Sequence, residues 1–252
     1  MKKRMLGLLS ILVCSLVTTQ AQKIMQTHSI GKFITIGEMN GYSYRAYSAG
    51  SKNAKGGILL VHDYFGITEA TKKSVEKLAD LGYDVIAVDL YRGKSAMTND
   101  SAVILMNGKD SSETLRILLE GINYLEKRGK KLAAIGFSAG GIDAVNAALI
   151  EPDLFKATIV VYGGNYDKID KSRIEKLRSP VLAITGSLDS WPLTAALNFL
   201  TNEKSKKFEL HVFSGVDHGY AQPLFNGGKN FNDEATQNTW HLIIDFLSKN
   251  LN

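Results

Sequence analysis

The chain has 252 residues, of which 44% are hydrophobic and 22% are charged, and this composition is typical of a globular protein. Its 4 prolines and 23 glycines exclude a collagen-like or low-complexity polypeptide. Residues 1–21 contain three basic residues and no acidic residue. The formal net charge of +5 therefore becomes +2 when this segment is left out. A charge this small does not predict a nucleic-acid partner.

The N-terminal segment predicts export. Basic residues at positions 2–4 precede the apolar stretch 5–17, which gives way to small and polar residues ending at Ala21. This order is typical of a secretory signal peptide of residues 1–21, followed by a single domain of residues 22–252. We therefore expect a periplasmic or secreted protein with no stable membrane association once the signal is removed.

The rest of the chain alternates between strand and helix patterns. Two alternating runs, 33–36 and 42–47, flank Asn40-Gly41, a dipeptide typical of tight hairpins. The apolar runs beyond them predict buried strands at 57–62, 84–88, 132–137, 157–162, 181–185 and 208–213. The amphipathic stretches between these runs predict helices at 71–81, 111–127, 142–149, 193–202 and 234–249. The pattern indicates an α/β fold with a doubly wound, mostly parallel sheet and an N-terminal antiparallel hairpin.

The strongest chemical motif follows the third predicted buried strand. Gly136-Phe137-Ser138-Ala139-Gly140 matches the G-x-S-x-G nucleophile elbow, in its required position between a strand and a helix. The sharp turn needs small flanking residues, and it exposes the serine hydroxyl at the start of the helix. We predict Ser138 as a nucleophile, with the backbone N–H of Ala139 as one donor of an oxyanion hole.

A serine nucleophile needs a base, and the base needs an acid that orients it. His218 is the predicted base, because it follows the last strand and so keeps the order serine, acid, histidine of α/β-hydrolases. Asp189, at the carboxyl end of the strand 181–185, is the preferred acid. The competing candidates are Asp167, Asp170 and Asp217, and a helix-start role is the alternative for Asp189.

These motifs, taken together, resemble the dienelactone hydrolase family of α/β-hydrolases from about Gly56 to the C-terminus. The matching segments, in the order of the family, are His62-Asp63-Tyr64-Phe65-Gly66, Asp89-Leu90-Tyr91-Arg92, Gly136-Phe137-Ser138-Ala139-Gly140-Gly141, Val161-Tyr162-Gly163, Gly186-Ser187-Leu188-Asp189 and His218-Gly219-Tyr220. The resemblance implies the α/β-hydrolase fold and a triad of Ser138, Asp189 and His218.

The resemblance also implies roles for residues around the triad. The backbone N–H groups of Tyr64 and Ala139 would form the oxyanion hole, Asp63 would lie near the nucleophile, and Arg92 would meet a substrate carboxylate. The chain departs from dienelactone hydrolase itself, which has a cysteine nucleophile and a glutamate where Ser138 and Asp63 stand. A second carboxylate-binding arginine of that enzyme falls at Gln222, which disfavours a carboxylated dienelactone as the natural substrate.

The predicted function is that of an exported serine hydrolase, which cleaves a small carboxylic ester or lactone through an acyl-enzyme. Aromatic residues near the predicted site, including Trp191 and Tyr220, suit a ring-shaped substrate, and the alternative is that they pack the strand ends. No cofactor and no metal site are expected. Two further hypotheses are a small serine peptidase and a non-catalytic binding protein on a hydrolase scaffold.

Overall fold

A computed structural model of the protein describes residues 30–39, 41–51, 53–202 and 207–251. The predicted signal peptide of residues 1–21 and Asn40 of the predicted hairpin turn lie outside the described residues. Within the described ranges, no helix combines the length and the apolar character needed to cross a membrane.

One sheet of eight strands organises the domain. The strands are β1 (Lys32–Met39), β2 (Tyr42–Ala49), β3 (Gly57–Val61), β4 (Asp84–Val88), β5 (Leu132–Phe137), β6 (Phe155–Val161), β7 (Val181–Gly186) and β8 (Phe208–Phe213). Their order across the sheet is β1-β2-β4-β3-β5-β6-β7-β8. Pairing is antiparallel between β1 and β2 and between β2 and β4, and parallel elsewhere. The predicted fold class, including the N-terminal hairpin, is confirmed.

In the part of the chain that the structure describes, seven α-helices connect or cover the strands. They are α1 (Glu69–Asp80), α2 (Asn99–Asn107), α3 (Ser111–Glu126), α4 (Gly140–Ile150), α5 (Lys171–Ile174), α6 (Ser190–Asn202) and α7 (Asp233–Leu251). The five predicted helices correspond to α1, α3, α4, α6 and α7, with ends that differ by up to three residues. Pro192 lies in the first turn of α6, where a helix tolerates proline, and this explains why the helix begins earlier than predicted.

The sequence analysis missed α2 and the short α5. Thr98 caps α2 through the backbone N–H of Ser101, so the start of this helix is locally encoded. Its apolar residues do not form one buried face, because Ala102 is buried whereas Val103 and Ile104 are exposed. Without that one-sided pattern, hydrophobic periodicity cannot reveal the helix.

The core lies on both faces of the sheet. Along β3, Leu59 and Val61 join one apolar cluster and Ile58 and Leu60 join the other, because successive side chains point to opposite faces. The chain runs outward from β3 to β4 and then crosses back to β5, which lies on the other side of β3. Ligands of such sheets bind where the strand order reverses, so the loops after β3 and β5 define the expected site.

Candidate active site

The nucleophile elbow is a sharp turn between β5 and α4. Ser138 adopts a φ of 49°, a left-handed conformation that is strained for a residue with a side chain, and only 8% of its surface is exposed. A Cβ atom on Gly136 would lie 2.2 Å from the carbonyl oxygen of Gly140. A Cβ atom on Gly140 would lie 2.5 Å from the carbonyl oxygen of His62. Both positions therefore require glycine, because backbone atoms occupy the space of any side chain.

The elbow serine begins a chain of hydrogen bonds across three loops. The hydroxyl Oγ of Ser138 lies 2.9 Å from Nε2 of His218, and Nδ1 of His218 lies 2.5 Å from Oδ2 of Asp189. The amide of Asn230 donates to the backbone carbonyl of His218 at 2.9 Å and holds the histidine loop in place. This arrangement can deprotonate the hydroxyl and stabilise the imidazolium that results.

The competing acids have other partners. The carboxylate of Asp217 accepts the backbone N–H of the adjacent His218 at 2.7 Å, and does not reach the imidazole. Asp167 accepts a hydrogen bond from Asn198 at 2.9 Å, in an exposed contact with α6. Asp170 stands at the start of α5, where its carbonyl accepts the backbone N–H of Arg173. Of the four candidates, Asp189 is the one whose carboxylate binds the imidazole of His218.

A cavity of about 450 Å³ opens above the serine and the histidine. It is lined by Tyr64, Met106, Lys109, Ser138, Ala139, Ile142, Gly164, Asn165, Trp191, His218 and Phe225. The ring centroids of Trp191 and Phe225 lie 5.6 and 5.1 Å from that of His218. Nε1 of Trp191 donates to Oδ1 of Asn165 at 3.3 Å, which orients the indole. The walls around the histidine are thus aromatic, and Trp191, a predicted substrate contact, forms part of them.

Two residues that line this cavity, Tyr64 and Ala139, belong to the loops after β3 and β5. Neither N–H donates a hydrogen bond to another residue in the part of the chain that the structure describes. Two free amides beside a serine hydroxyl are suited to bind a developing oxyanion.

Asp63 belongs to the loop after β3, and it does not line the cavity above Ser138. Its carboxylate accepts the backbone N–H of Phe65 at 2.9 Å and the side-chain amide of Gln222 at 2.5 Å. Burial raises the pKa of Asp63 to about 6, and these two hydrogen bonds oppose the increase. Both partners of its carboxylate thus hold the loop that carries Tyr64, and the role near the nucleophile that the resemblance implies stays a prediction.

Sequence reasoning missed an ion pair at the rim of the cavity. Nζ of Lys109 lies 2.6 Å from Oδ2 of Asp143, a buried residue in the first turn of α4. Lys109 follows α2 in a polar stretch that resembles an ordinary exposed turn, so its position carried no signal. The pair neutralises the cationic side chain that lines the cavity.

Two predicted substrate contacts, Tyr220 and Arg92, need correction. The ring of Tyr220 is fully buried in the core, and its hydroxyl lies 2.7 Å from that of Thr239. Arg92 is exposed and binds Glu113 at 2.8 Å, in a groove that shares no residue with the cavity above Ser138. Neither side chain lines the cavity.

Potential metal ligands do not cluster in the described part of the chain, where no group of three or more His, Cys, Asp or Glu side chains is suited to hold an ion. His62, the other histidine near the site, has a structural role. Its Nε2 accepts the backbone N–H of Leu90 at 3.2 Å, and its Nδ1 lies 2.6 Å from the carbonyl oxygen of Asp63. Burial lowers the pKa of His62, which favours the neutral ring in this bridge.

The parallel sheet with its elbow and strand-end loops defines an α/β-hydrolase. Within that class, the sequence profile of the dienelactone hydrolase family matches residues 44–251, and the chain belongs to this family. It is therefore a carboxylic-ester hydrolase by family.

Curated relatives are distant but match over nearly their full length. A protein of Saccharolobus solfataricus, provisionally named carboxymethylenebutenolidase, is 23% identical over 256 residues, covering 84% of this chain and 96% of the relative. Protein usf of Aquifex pyrophilus is 26% identical over 230 residues, covering 85% and 96% of the two chains.

Solved structures share the fold. A dienelactone hydrolase-like promiscuous phosphotriesterase from metagenomic libraries superposes with a TM-score of 0.75 at 17% identity, over 88% of this chain and 100% of that one. The dienelactone hydrolase of Anabaena variabilis gives a TM-score of 0.65 at 16% identity, over 89% and 100%. At these identities the likeness concerns the fold alone.

Proposed function

We propose that this protein is an exported serine hydrolase that cleaves a neutral carboxylic ester or lactone through an acyl-enzyme. The observation that carries the proposal is the unbroken hydrogen-bond chain from Ser138 through His218 to Asp189. In this mechanism Nε2 of His218 takes the hydroxyl proton while Oγ of Ser138 attacks the ester carbonyl carbon. Asp189 stabilises the imidazolium and keeps the ring in the required tautomer.

The two free amides complete the acylation step. The N–H groups of Tyr64 and Ala139 donate to the carbonyl oxygen as it becomes an oxyanion, and each such donor is worth about 3 kcal/mol. The intermediate collapses, the bond to the leaving oxygen breaks, and His218 returns its proton to the departing alcohol. Water then attacks the acyl-enzyme with His218 again as base, which releases the carboxylic acid and restores the hydroxyl of Ser138.

The charges around the cavity favour a substrate without a carboxylate. Lys109 is neutralised by Asp143, Arg92 is engaged with Glu113 in another groove, and Gln222 is buried against Asp63. Aromatic rings on both sides of His218 suit a flat or ring-shaped acyl or leaving group. We therefore expect a neutral aryl acetate to have a kcat/KM at least tenfold higher than that of its carboxylated counterpart. Equal values would contradict this substrate class.

Covalent labelling tests the nucleophile directly. The purified protein is incubated with a fluorophosphonate and examined by intact mass and peptide mapping. We expect one label per chain at Ser138, lost in Ser138→Ala and His218→Ala. The control Ser112→Ala, which alters an exposed serine on α3, keeps it. A folded protein that takes no label would favour a non-catalytic binding protein on a hydrolase scaffold, and a labelled protein that cleaves peptides but no esters would favour a peptidase.

Export has a separate test, because it rests on the order of charged, apolar and small residues in 1–21. The full-length chain is expressed in a bacterium with a periplasm, and the mass of the product is measured in each cell fraction. We expect a chain that begins at Gln22 in the periplasm or the medium. An uncleaved chain confined to the cytoplasm would refute the signal peptide and leave the hydrolase proposal intact.

A further inference from the structure

A second cavity lies behind the catalytic loops, between α1, α7 and the segment after the histidine. Its volume is about 190 Å³. Its lining includes Leu60, Asp63, Lys73, Lys77, Phe137 and Trp240. No lining residue is shared with the cavity above Ser138.

The two cavities lie back to back across a thin wall. Asp63 lines the second cavity and its neighbour Tyr64 lines the first, and Phe137 and Ser138 divide in the same way. The ring of Tyr162 completes the wall, with its centroid 5.4 Å from that of His218. A molecule in the second cavity is therefore close to the catalytic residues but has no access to the serine hydroxyl.

The floor of the second cavity is apolar and aromatic. Leu60 and Tyr162 are at most 2% exposed, and the rings of Phe137 and Trp240 lie 6.4 Å apart. An apolar cavity of about 150 Å³ is large enough to admit benzene. The volume here thus accommodates one aromatic ring with a short substituent.

The rim is cationic on the side of α1. Lys73 and Lys77 are four residues apart on this helix and so lie on the same face. Nζ of Lys77 stands 4.6 Å from the ring centroid of Trp240, and burial lowers the pKa of this lysine. A partly desolvated ammonium over an aromatic ring is stabilised when an anion approaches it.

The remaining acidic group sets the orientation of such an anion. Asp63 reaches the deep end of the cavity, where its carboxylate is engaged with Gln222 and the backbone of Phe65. A second carboxylate is repelled from that end and attracted to the rim. The cavity is thus polarised, with an apolar interior and a positive mouth.

We propose that the second cavity is a binding site for a small aromatic carboxylate. The ring packs against the apolar surface that Phe137 and Trp240 form, and the carboxylate meets Lys73 and Lys77. No step of the hydrolytic mechanism uses this site, so the binding proposal does not depend on the proposed activity.

Tryptophan fluorescence can detect the ligand at this site. The chain contains two tryptophans, so Trp191→Phe leaves Trp240 as the only indole. Benzoate is titrated into this variant before and after its serine is blocked with a small phosphonate. We expect the same saturable change in emission in both titrations.

Substitutions at the rim then test the charge. We expect Lys73→Met with Lys77→Met to weaken benzoate binding at least tenfold while binding of neutral benzyl alcohol stays within twofold. Lys72→Met is the matched control, because Lys72 lies on the same helix but binds Glu69 away from the cavity. It should bind benzoate as the parent does.

Three results would overturn the proposal. They are a titration without saturation, loss of the signal when the serine is blocked, and benzoate affinity that is unchanged by the double lysine substitution. The second result would assign benzoate to the catalytic cavity. If Ser138 takes no phosphonate, benzoate is titrated into Trp240→Phe, which keeps Trp191 in the wall of the catalytic cavity. A saturable change there with the affinity seen in Trp191→Phe would assign benzoate to the catalytic cavity and overturn the proposal.

Discussion

The elbow after β5 and the loop after β3 each contribute one residue with a free amide to the wall of the same cavity, but they are held in place differently. In the elbow, backbone atoms from neighbouring segments close around Gly136 and Gly140 and leave no room for a side chain. In the β3 loop, side-chain hydrogen bonds hold the backbone: His62 bridges to Leu90, and Asp63 binds Phe65 and Gln222.

The difference lies in the distance along the chain over which each loop is stabilised. The elbow is formed largely by five consecutive residues, so a short sequence motif predicts its shape. The partner of Asp63 is 159 residues away, so the shape of the β3 loop depends on the segment that follows the histidine. Removing one side-chain hydrogen bond weakens the β3 loop in part. Adding a side chain at Gly136 or Gly140 displaces the backbone of the elbow.

The largest expected effect is at the elbow. In Gly136→Ala the added methyl group would meet the carbonyl of Gly140 at 2.2 Å, so the turn must open. We expect a loss of about 3 kcal/mol in the free energy of unfolding, together with loss of fluorophosphonate labelling. Urea unfolding and labelling measure both. Gly108→Ala is the control, because a Cβ atom there has only ordinary contacts, beginning at 3.4 Å. Full labelling of Gly136→Ala would show that the elbow is not held by close contact.

The β3 loop should respond to pH. The pKa of Asp63 is raised to about 6 in the folded protein, so the folded state binds a proton more tightly than the unfolded chain does. The stabilisation is therefore complete below about pH 4 and is lost as the pH rises through 6.

Comparison with Asp63→Asn isolates this contribution. Between pH 4.5 and pH 8, we expect the free energy of unfolding of the parent to fall by about 2 kcal/mol relative to the variant. Denaturant unfolding at the two pH values measures the difference. A constant difference across this range would indicate that Asp63 does not titrate there.

Removing the distant partner of Asp63 should have a smaller effect. Gln222→Leu leaves Oδ2 of Asp63 without its side-chain donor, and the loop that carries the Tyr64 amide becomes less well positioned. We expect kcat for a neutral aryl ester to fall about tenfold, or roughly 1.4 kcal/mol, with KM within twofold. The control Gln237→Leu alters an exposed glutamine on α7 and should leave both constants unchanged. A change confined to KM would assign Gln222 to substrate binding instead.

The smallest effect is expected from the side chain of Tyr64 itself. Its hydroxyl donates to Oδ1 of Asn99 at 3.1 Å, in a partly exposed contact with α2. Tyr64→Phe removes this bond but keeps the backbone amide, so kcat should fall by no more than about threefold. Steady-state kinetics on the same ester provides the test. A hundredfold loss would show that the hydroxyl, and not the amide, is the important group of this residue.

The sequence by itself was sufficient for the features that depend on local pattern. Continuous apolar runs predicted the buried strands, because a parallel sheet covered on both faces leaves no polar alternation. The glycines around Ser138 predicted the elbow, because the motif itself marks the two positions where the turn leaves no room for a side chain. The order of serine, acid and histidine selected the three residues that the structure connects by hydrogen bonds.

Only the tertiary structure decided where the remaining polar and aromatic side chains point. Tyr220 turned inward because Thr239 on α7 offers its hydroxyl a partner, and Arg92 turned away because Glu113 on α3 binds it. The pairing of Asp63 with Gln222 depends in the same way on segments that are distant along the chain. A side chain with several possible hydrogen-bond or ion-pair partners binds the one that the packing of the fold brings nearest. The local sequence pattern does not predict which partner that is.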